Sequence, residues 1–280
     1  MLRSTSLRVL RPEDLDAVTE VLSVDPVADV FVASRVQAVG LDPARLGGEM
    51  WGYAVDGRLT ALCHAGANLV PVQADDEAVA AFADRARRQG RRCSSIVGPA
   101  RAVAALWDRL EPHWGPARDV RASQPLLSIR RPPAACADPR VRRVGLAELD
   151  LLMPACVAMF TEEVGSSPLG SDNGAAYRAR VRDLVLGGRA FARIEGGEVL
   201  FKAELGAVSA RACQVQGVWV HPSHRGRGLG TAGTAAVVAE ALRTVAPVVS
   251  LYVNDFNVPA RRAYQRVGFE NAGTFSSVLF

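Results

Sequence analysis

The 280-residue sequence consists of two halves that follow one pattern, separated by a proline-rich segment. Residues 130–139 read Arg-Arg-Pro-Pro-Ala-Ala-Cys-Ala-Asp-Pro. Because proline lacks a backbone N–H and restricts the residue before it, this stretch is typical of a linker. Each half predicts the same order of elements: strand, helix, antiparallel hairpin, strand, helix, strand, helix, strand. The sequence therefore predicts two domains, residues 1–131 and 140–280, joined by a linker at 132–139.

Turn residues mark matching positions in the two halves. Asp-Gly at 56–57 and Gly-Gly at 196–197 accept the positive φ angles of two-residue hairpin loops. A Pro-Ala-Arg triplet opens a predicted helix in both halves, at 99–101 and at 259–261. These elements predict the α/β class, with a mixed, mostly antiparallel sheet flanked by helices in each domain.

Composition excludes several classes of protein. Hydrophobic residues make up 49% and charged residues 22%, as in ordinary globular proteins. The net charge of +4 comes from arginines scattered along the chain, and aromatic residues are only 6%, which argues against nucleic-acid binding. No apolar run reaches the roughly 20 residues of a membrane helix, and the first residues lack a signal-peptide pattern. We expect a cytoplasmic protein with neither a nucleic-acid nor a membrane partner.

The five cysteines are far apart in the sequence and have no histidine at metal-binding spacing. This scatter favours reduced thiols over a disulfide framework or a zinc site, so we expect no bound metal. The cysteines are Cys63, Cys93, Cys136, Cys156 and Cys213.

The two halves differ after the last hairpin strand. In the second half, a strand ending at residue 220 leads into a glycine-rich turn at 225–230, Arg-Gly-Arg-Gly-Leu-Gly, and a helix predicted over about 230–245. Glycines let successive N–H groups converge, and the helix N-terminus and two arginines add positive charge. The pattern predicts a pyrophosphate site. At the equivalent point the first half has three acids at 75–77 and no glycine, so only the second half is expected to bind this ligand.

Three motifs of the second half occur in the order of a known superfamily. They are Val218-x-Val220-x-Pro222, Arg225-x-x-Gly228-x-Gly230 and Asn257-x-x-Ala260-x-x-x-Tyr264-x-x-x-Gly268-Phe269. On these motifs the sequence resembles the GCN5-related N-acetyltransferase (GNAT) superfamily over about 140–280, and the first half looks like a degenerate copy. The whole chain is similar to two-domain actinobacterial GNAT proteins that carry an additional N-terminal domain.

The resemblance implies acetyl-CoA as co-substrate and a primary amine of a small molecule or peptide as acceptor. It implies that backbone N–H groups of the turn hold the pyrophosphate, while the strand at 218–220 pairs with pantetheine and offers an N–H to the thioester oxygen. It also implies that Tyr264 protonates the departing thiolate. The implied co-substrate contacts are Val218, Trp219, Val220, Arg225, Gly226, Arg227, Gly228, Leu229, Gly230, Thr231 and Asn257.

The general base departs from the family pattern. Many members place a glutamate two residues before the Val-x-Val motif, where this chain has Gln216, which cannot accept a proton. Glu204 on the adjacent hairpin strand, or Glu162 and Glu163, are the alternatives, each acting through water. Together with Asp172, the latter two suit a cationic acceptor, such as an amino acid, a peptide N-terminus or a polyamine.

Two other functions are compatible with the sequence. Gln216 in place of the usual base is compatible with a non-catalytic CoA-binding regulatory protein. Gly228-x-Gly230-x-x-Gly233 also satisfies the dinucleotide fingerprint of an oxidoreductase, although residues 221–227 separate the strand from the first glycine. The first domain would shape the acceptor pocket or mediate assembly, and a homodimer is left open.

Overall fold

The computed structural model of the protein describes residues 4–170 and 173–280. The chain forms two units. The first contains Met1–Leu126, Tyr252–Phe256 and Asn271–Phe280, and the second contains Leu127–Leu251 and Asn257–Glu270. The sequence prediction assigned the whole of 140–280 to the second domain, whereas the structure groups the end of the chain with the first unit.

The secondary structure contains both regular strands and helices in each half. The strands are β1 (Thr5–Val9), β2 (Gly48–Val55), β3 (Arg58–Gly66), β4 (Asn68–Val72), β5 (Ser95–Pro99), β6 (Asp119–Ile129), β7 (Arg142–Arg143), β8 (Ala190–Glu195), β9 (Glu198–Val208), β10 (Cys213–Val220), β11 (Val249–Tyr252) and β12 (Glu270–Leu279). The helices are α1 (Leu15–Leu22), α2 (Val30–Val39), α3 (Pro43–Leu46), α4 (Asp76–Gln89), α5 (Ala100–Trp114), α6 (Leu149–Val164), α7 (Ala175–Leu186), α8 (Leu229–Thr244) and α9 (Val258–Val267).

The sheet of the first unit has the strand order β1-β2-β3-β4-β5-β12. Neighbouring strands are antiparallel except β4 and β5, which are parallel. Successive side chains of β2 point to opposite faces, so Met50 packs with residues of α1 and α2, and Trp51 packs with residues of α4 and α5. Helices therefore cover both faces of this sheet.

The sheet of the second unit has the order β11-β10-β9-β8-β7, and only β10 and β11 are parallel. One face packs against α6 and α7 in a cluster that includes Leu152, Val185 and Trp219. On the other face, Gly233 of α8 lies so close to β9 that an added Cβ would be 2.7 Å from the Phe201 ring. The predicted fold class, mixed and mostly antiparallel sheets flanked by helices, is confirmed.

Two helices of the second unit begin at residues that the sequence motifs contain. Helix α8 follows Gly228, whose φ of +83° is the left-handed conformation that glycine accepts most readily. Helix α9 follows Asn257, whose side-chain oxygen accepts a hydrogen bond from the Ala260 N–H at 3.2 Å, a helix N-cap. The observed α8, Leu229–Thr244, agrees with the predicted helix within one residue at each end.

Three further features concern the part of the chain that the structure describes. None of its helices combines the length and apolar character that a membrane span requires. No group of three or more potential metal ligands is found there. The five cysteines are free thiols.

Candidate functional site

Strand β10 leaves its neighbour β11 after two residue pairs. Cys213 pairs with Val249 and Gln214 with Ser250, and the described register between these strands goes no further. On its other edge β10 stays paired with β9 as far as Val220. The edge from 215 to 220 therefore presents backbone groups to an extended ligand, which can bind it as an additional strand.

A β-bulge interrupts the same strand between Gln216 and Trp219. Gly217 lies within it at φ +58°, and an added Cβ would be 3.1 Å from Lys202 Nζ and 3.2 Å from Glu204 Cδ. Glycine is needed here for both its conformation and its small volume. Bulges re-aim backbone groups and are common beside active sites.

The glycine-rich turn, 225–230, lies between the end of this strand and the first turn of α8. Gly226 and Gly228 have φ angles of +74° and +83°, and a Cβ at either position would meet no atom within 4 Å. The turn leads directly into α8, whose first N–H groups have no acceptor within the helix. A helix N-terminus preceded by glycines is a geometry in which anion sites form, and the pyrophosphate site stays a prediction.

Arg225 connects this turn to the strand and to helix α6. Its Nε donates to the Val220 carbonyl at 3.0 Å, and its Nη2 lies 2.7 and 3.0 Å from the two carboxylate oxygens of Glu162. The Trp219 indole N–H donates to the same carboxylate at 3.1 Å. Glu162 therefore compensates the charge of Arg225. Arg227 is exposed, so it is the turn arginine that could better contact a phosphate group.

Comparison with known protein families identifies the family of the second unit. Residues 173–269 match the family model described as "Acetyltransferase (GNAT) family". Residues 173–269 are therefore identified as a GNAT acetyltransferase domain. Residues 48–152 match a different model, a domain of unknown function named DUF4081, which fits the degenerate GNAT-like domain predicted for the first half. No curated protein matches the sequence.

Solved structures of GNAT proteins, one of them described as a tandem GNAT protein, share the fold at low sequence identity. A tandem GNAT protein of the clavulanic acid biosynthesis pathway is 15% identical with a TM-score of 0.58, covering 99% of this chain and 98% of its own. GNAT acetyltransferases of Colwellia psychrerythraea (13%, TM-score 0.57) and Sphaerobacter thermophilus (17%, TM-score 0.57) each cover 98% of this chain, and 99% and 95% of their own. At these identities the likeness shows the fold alone.

The dinucleotide-binding alternative does not fit the sheet of the GNAT unit. A dinucleotide-binding unit needs an open, mostly parallel sheet around the strand that precedes its fingerprint. Here β10 is antiparallel to β9, and β11 is its parallel neighbour for two residue pairs. A 3-10 turn, Pro222–His224, also separates the strand from the glycines.

Glu204, one predicted base of the GNAT domain, belongs to a buried ionic cluster. Its carboxylate accepts from Lys202 Nζ at 3.1 Å and from Gln216 Nε2 at 2.7 Å, and all but 6% of the residue is buried. Burial alone would raise the pKa of Glu204, but the Lys202 charge, the Gln216 hydrogen bond and the Arg180 charge together outweigh it and hold the pKa below its usual value. The carboxylate is therefore ionised and already paired, which makes it a weak proton acceptor.

Tyr264, the predicted general acid, is buried in α9, where its ring contacts the edge of Phe269 at 5.9 Å between centroids. Burial raises the pKa of Tyr264, and the Glu163 carboxylate raises it further. The hydroxyl thus keeps its proton at neutral pH, the state that a general acid needs.

The remaining predicted residues differ in their surroundings. The side-chain oxygen of Asn257 caps α9, and its NH₂ group has no hydrogen-bond partner among the described residues. Trp219 is buried against α6 and α7, and Val218 and Val220 are half-buried. Leu229, Gly230 and Thr231 form the first turn of α8 and are half-buried. Asp172 lies outside the described residues.

Sequence reasoning missed two features of this site. Lys202 is the only lysine of the chain and is 99% buried, and its position in an apolar strand was the available signal. The contact of Glu162 with Arg225 joins residues 63 positions apart, which no local pattern reveals.

Proposed function

We propose that the GNAT domain transfers an acetyl group from acetyl-CoA to a primary amine of a small molecule or peptide by direct attack. The observation that carries this proposal is the glycine-rich turn at the N-terminus of α8, placed at the end of a strand whose free edge runs from 215 to 220. One element suits the pyrophosphate and the other suits the amide-bearing pantetheine arm.

Different residues of the domain bind different parts of acetyl-CoA. N–H groups of 226–231 bind the pyrophosphate, with Arg227 adding a full charge. The β10 edge at 218–220 pairs with the pantetheine amides, and the free NH₂ group of Asn257 donates to one of their carbonyls. The bulge at Gly217 lets a backbone N–H of β10 bind the thioester oxygen, where negative charge develops during acyl transfer.

The chemistry requires two proton movements. The acceptor nitrogen forms a bond to the acetyl carbon while the carbon–sulfur bond breaks, and Tyr264 gives its proton to the leaving sulfur. The acceptor ammonium must first lose a proton. Of the three predicted bases, Glu162 is paired with Arg225 and Glu204 is buried in its pair with Lys202. We therefore assign the proton to the exposed Glu163, acting through water.

The first domain is proposed to lack an acetyl-CoA site. Asp75, Asp76 and Glu77 stand at the start of α4, and Asp75 itself caps that helix by accepting from the Ala78 N–H at 2.9 Å. With Arg101, which pairs with Asp76 at 2.8 Å, these acids line a small cavity with an excess of negative charge that repels phosphate. The free thiols of the chain suit the reducing cytoplasm.

Turnover measurements test the catalytic proposal. We expect thiol release from acetyl-CoA to depend on an added amine, tested with amino acids, peptides and polyamines. Tyr264→Phe is expected to lower kcat by about 100-fold or more, because the leaving sulfur loses its acid, with acetyl-CoA affinity unchanged. Bound acetyl-CoA without turnover on any amine would instead support a non-catalytic CoA-binding protein.

A further inference from the structure

Gly206 and Gln216 fit together on adjacent strands of the second unit. Gly206 lies on β9, and a Cβ added there would overlap the side-chain carboxamide of Gln216 on β10. The absence of a side chain at residue 206 is therefore what lets this carboxamide occupy its position on the sheet.

A buried carboxylate fixes which way the carboxamide points. Gln216 Nε2 donates to Glu204 Oε1 at 2.7 Å, and Glu204 Oε2 accepts from Lys202 Nζ at 3.1 Å. An ionised carboxylate only accepts hydrogen bonds, so it binds the NH₂ side of the amide and not the carbonyl side. Gln216 is half-buried, and its Oε1 atom has no donor among the described residues. The amide thus presents a carbonyl oxygen of fixed orientation to a ligand.

This carbonyl lies beside the part of the β10 edge at which the thioester is proposed to bind. Gln216 precedes the bulge residue Gly217, whose added Cβ would be 3.1 Å from Met159 Cε of α6. These side chains therefore lie on the face of the sheet that α6 and α7 cover, whereas the glycine-rich turn leads into α8 on the opposite face. Acetyl-CoA that binds from the α8 side leaves the α6–α7 side to the acceptor.

The charges around Gln216 favour recognition through a hydrogen bond and not through charge. Lys202 and Glu204 compensate each other, and Arg180 of α7, which is 59% exposed, adds a positive charge 3.9 Å from Glu204 Oε1. Such a cluster does not attract a cation. A carbonyl oxygen accepts an N–H from a neutral amine as well as from an ammonium ion, and unlike a carboxylate it does not raise the pKa of the amine. The amine can therefore be bound in the form whose lone pair is free to attack.

We propose that Gln216 binds the acceptor nitrogen, with Oε1 accepting an N–H from the amine and Glu204 holding the amide in that orientation. Gln216 then contacts the substrate, and Glu204 is a positioning residue. The inference rests on the proposed acetyl transfer and deepens it, because it restricts the acceptor to a nitrogen that has an N–H to donate beside its lone pair.

Amine binding to the complex with CoA tests this inference without turnover, because CoA carries no acetyl group. Calorimetry first establishes that CoA binds. The NMR signals of the Gln216 side-chain NH₂ group, assigned with Gln216→Met, then follow the addition of propylamine or of trimethylpropylammonium, a cation with the same chain and no N–H. We expect propylamine to shift these signals saturably and trimethylpropylammonium to leave them unchanged.

Variants separate the substrate contact from a structural role, with binding followed at the backbone N–H signal of Gly217. Gln216→Met is expected to weaken propylamine binding about tenfold, the effect of one lost hydrogen bond, with CoA affinity unchanged. Glu204→Gln removes the charge that orients the amide and should reduce the preference for propylamine over trimethylpropylammonium. The control is Gln89→Met, which removes an amide–carboxylate bond of the first unit, to Glu49 at 3.2 Å, and should change neither affinity.

The outcomes distinguish this inference from the proposed function. Absence of CoA binding would overturn both. With CoA bound, the inference alone is overturned if propylamine leaves the Gln216 signals unchanged, if trimethylpropylammonium shifts them equally, or if Gln216→Met binds propylamine as the wild type does. Should Glu204→Gln fail to fold because Lys202 is left buried and unpaired, Gln216→Met and the two probes on the wild-type chain decide.

Discussion

Asp29 is the buried carboxyl group whose ionisation the fold opposes most clearly. It is 98% buried, and its Oδ2 accepts from Gln73 Nε2 at 2.7 Å. Burial raises the pKa of Asp29 to about 7, although the Gln73 hydrogen bond acts in the opposite direction and nearby Asp25 adds to the rise. The folded protein therefore holds a proton that the unfolded chain releases near pH 4.

This difference makes stability depend on pH. The contribution of Asp29 is fully present below about pH 4 and is lost as the pH rises to about 7, with a total change of up to about 4 kcal/mol. Asp29→Asn introduces a neutral side chain of the same shape. At pH 5 we expect its stability toward urea to differ from that of the wild type only by the part of the Asp29 contribution that the wild type has already lost. At pH 8 we expect the variant to be more stable than the wild type.

A matched variant separates this effect from general surface charge. Asp16→Asn removes an exposed carboxylate from α1 and should leave the pH dependence as in the wild type. If Asp29→Asn shows the same slope of urea midpoint against pH as the wild type, the carboxyl does not titrate as described.

At the scale of elements, the conformation of the candidate site depends on the side-chain contacts that fix β10. The ion pair of Lys202 with Glu204 and the amide of Gln216 lie on one side of the bulge, while Glu162 ties α6 to Trp219 and Arg225. Buried ion pairs contribute little net stability but are costly to break, so this cluster favours one conformation of the strand over others.

Replacement of the bulge glycine tests this view. Gly217→Ala must accommodate a left-handed φ and a Cβ 3.1 Å from Lys202 Nζ, so we expect a loss of stability of about 1–3 kcal/mol and a fall in turnover. Gly57→Ala is the control, since Gly57 has φ +81° with no atom within 4 Å of an added Cβ. It shares the backbone strain and should retain full turnover. Equal turnover in both variants would show that the bulge is not part of the site.

At the scale of the whole molecule, local signals predicted much of the fold. The glycine-rich turn and the Ala/Val/Leu segment after it define α8, and the Asp-Gly and Gly-Gly turns at 56–57 and 196–197 define the hairpins β2–β3 and β8–β9. Each of these signals depends on residues adjacent in sequence, where glycine conformation and hydrophobic period act directly.

Contacts between residues that are far apart in the sequence could not be predicted in this way. The pairing of β12 with β5 joins Phe275 to Pro99, and nothing in the alternation of β12 specifies which strand it pairs with. The bond of Gln216 to Glu204 depends on the register of two strands, so the sequence identified the missing base but not what the glutamine does instead.

Calorimetric titration with acetyl-CoA tests the central claim most directly. Gly228→Asp places a negative charge in the glycine-rich turn, whereas Gly197→Asp places it in the β8–β9 hairpin at nearly the same φ, +82° against +83°, also in open space. We predict that the wild type and Gly197→Asp bind acetyl-CoA alike, and that Gly228→Asp loses at least about tenfold in affinity. Equal affinity of the two variants for acetyl-CoA would contradict the placement of the pyrophosphate on this turn.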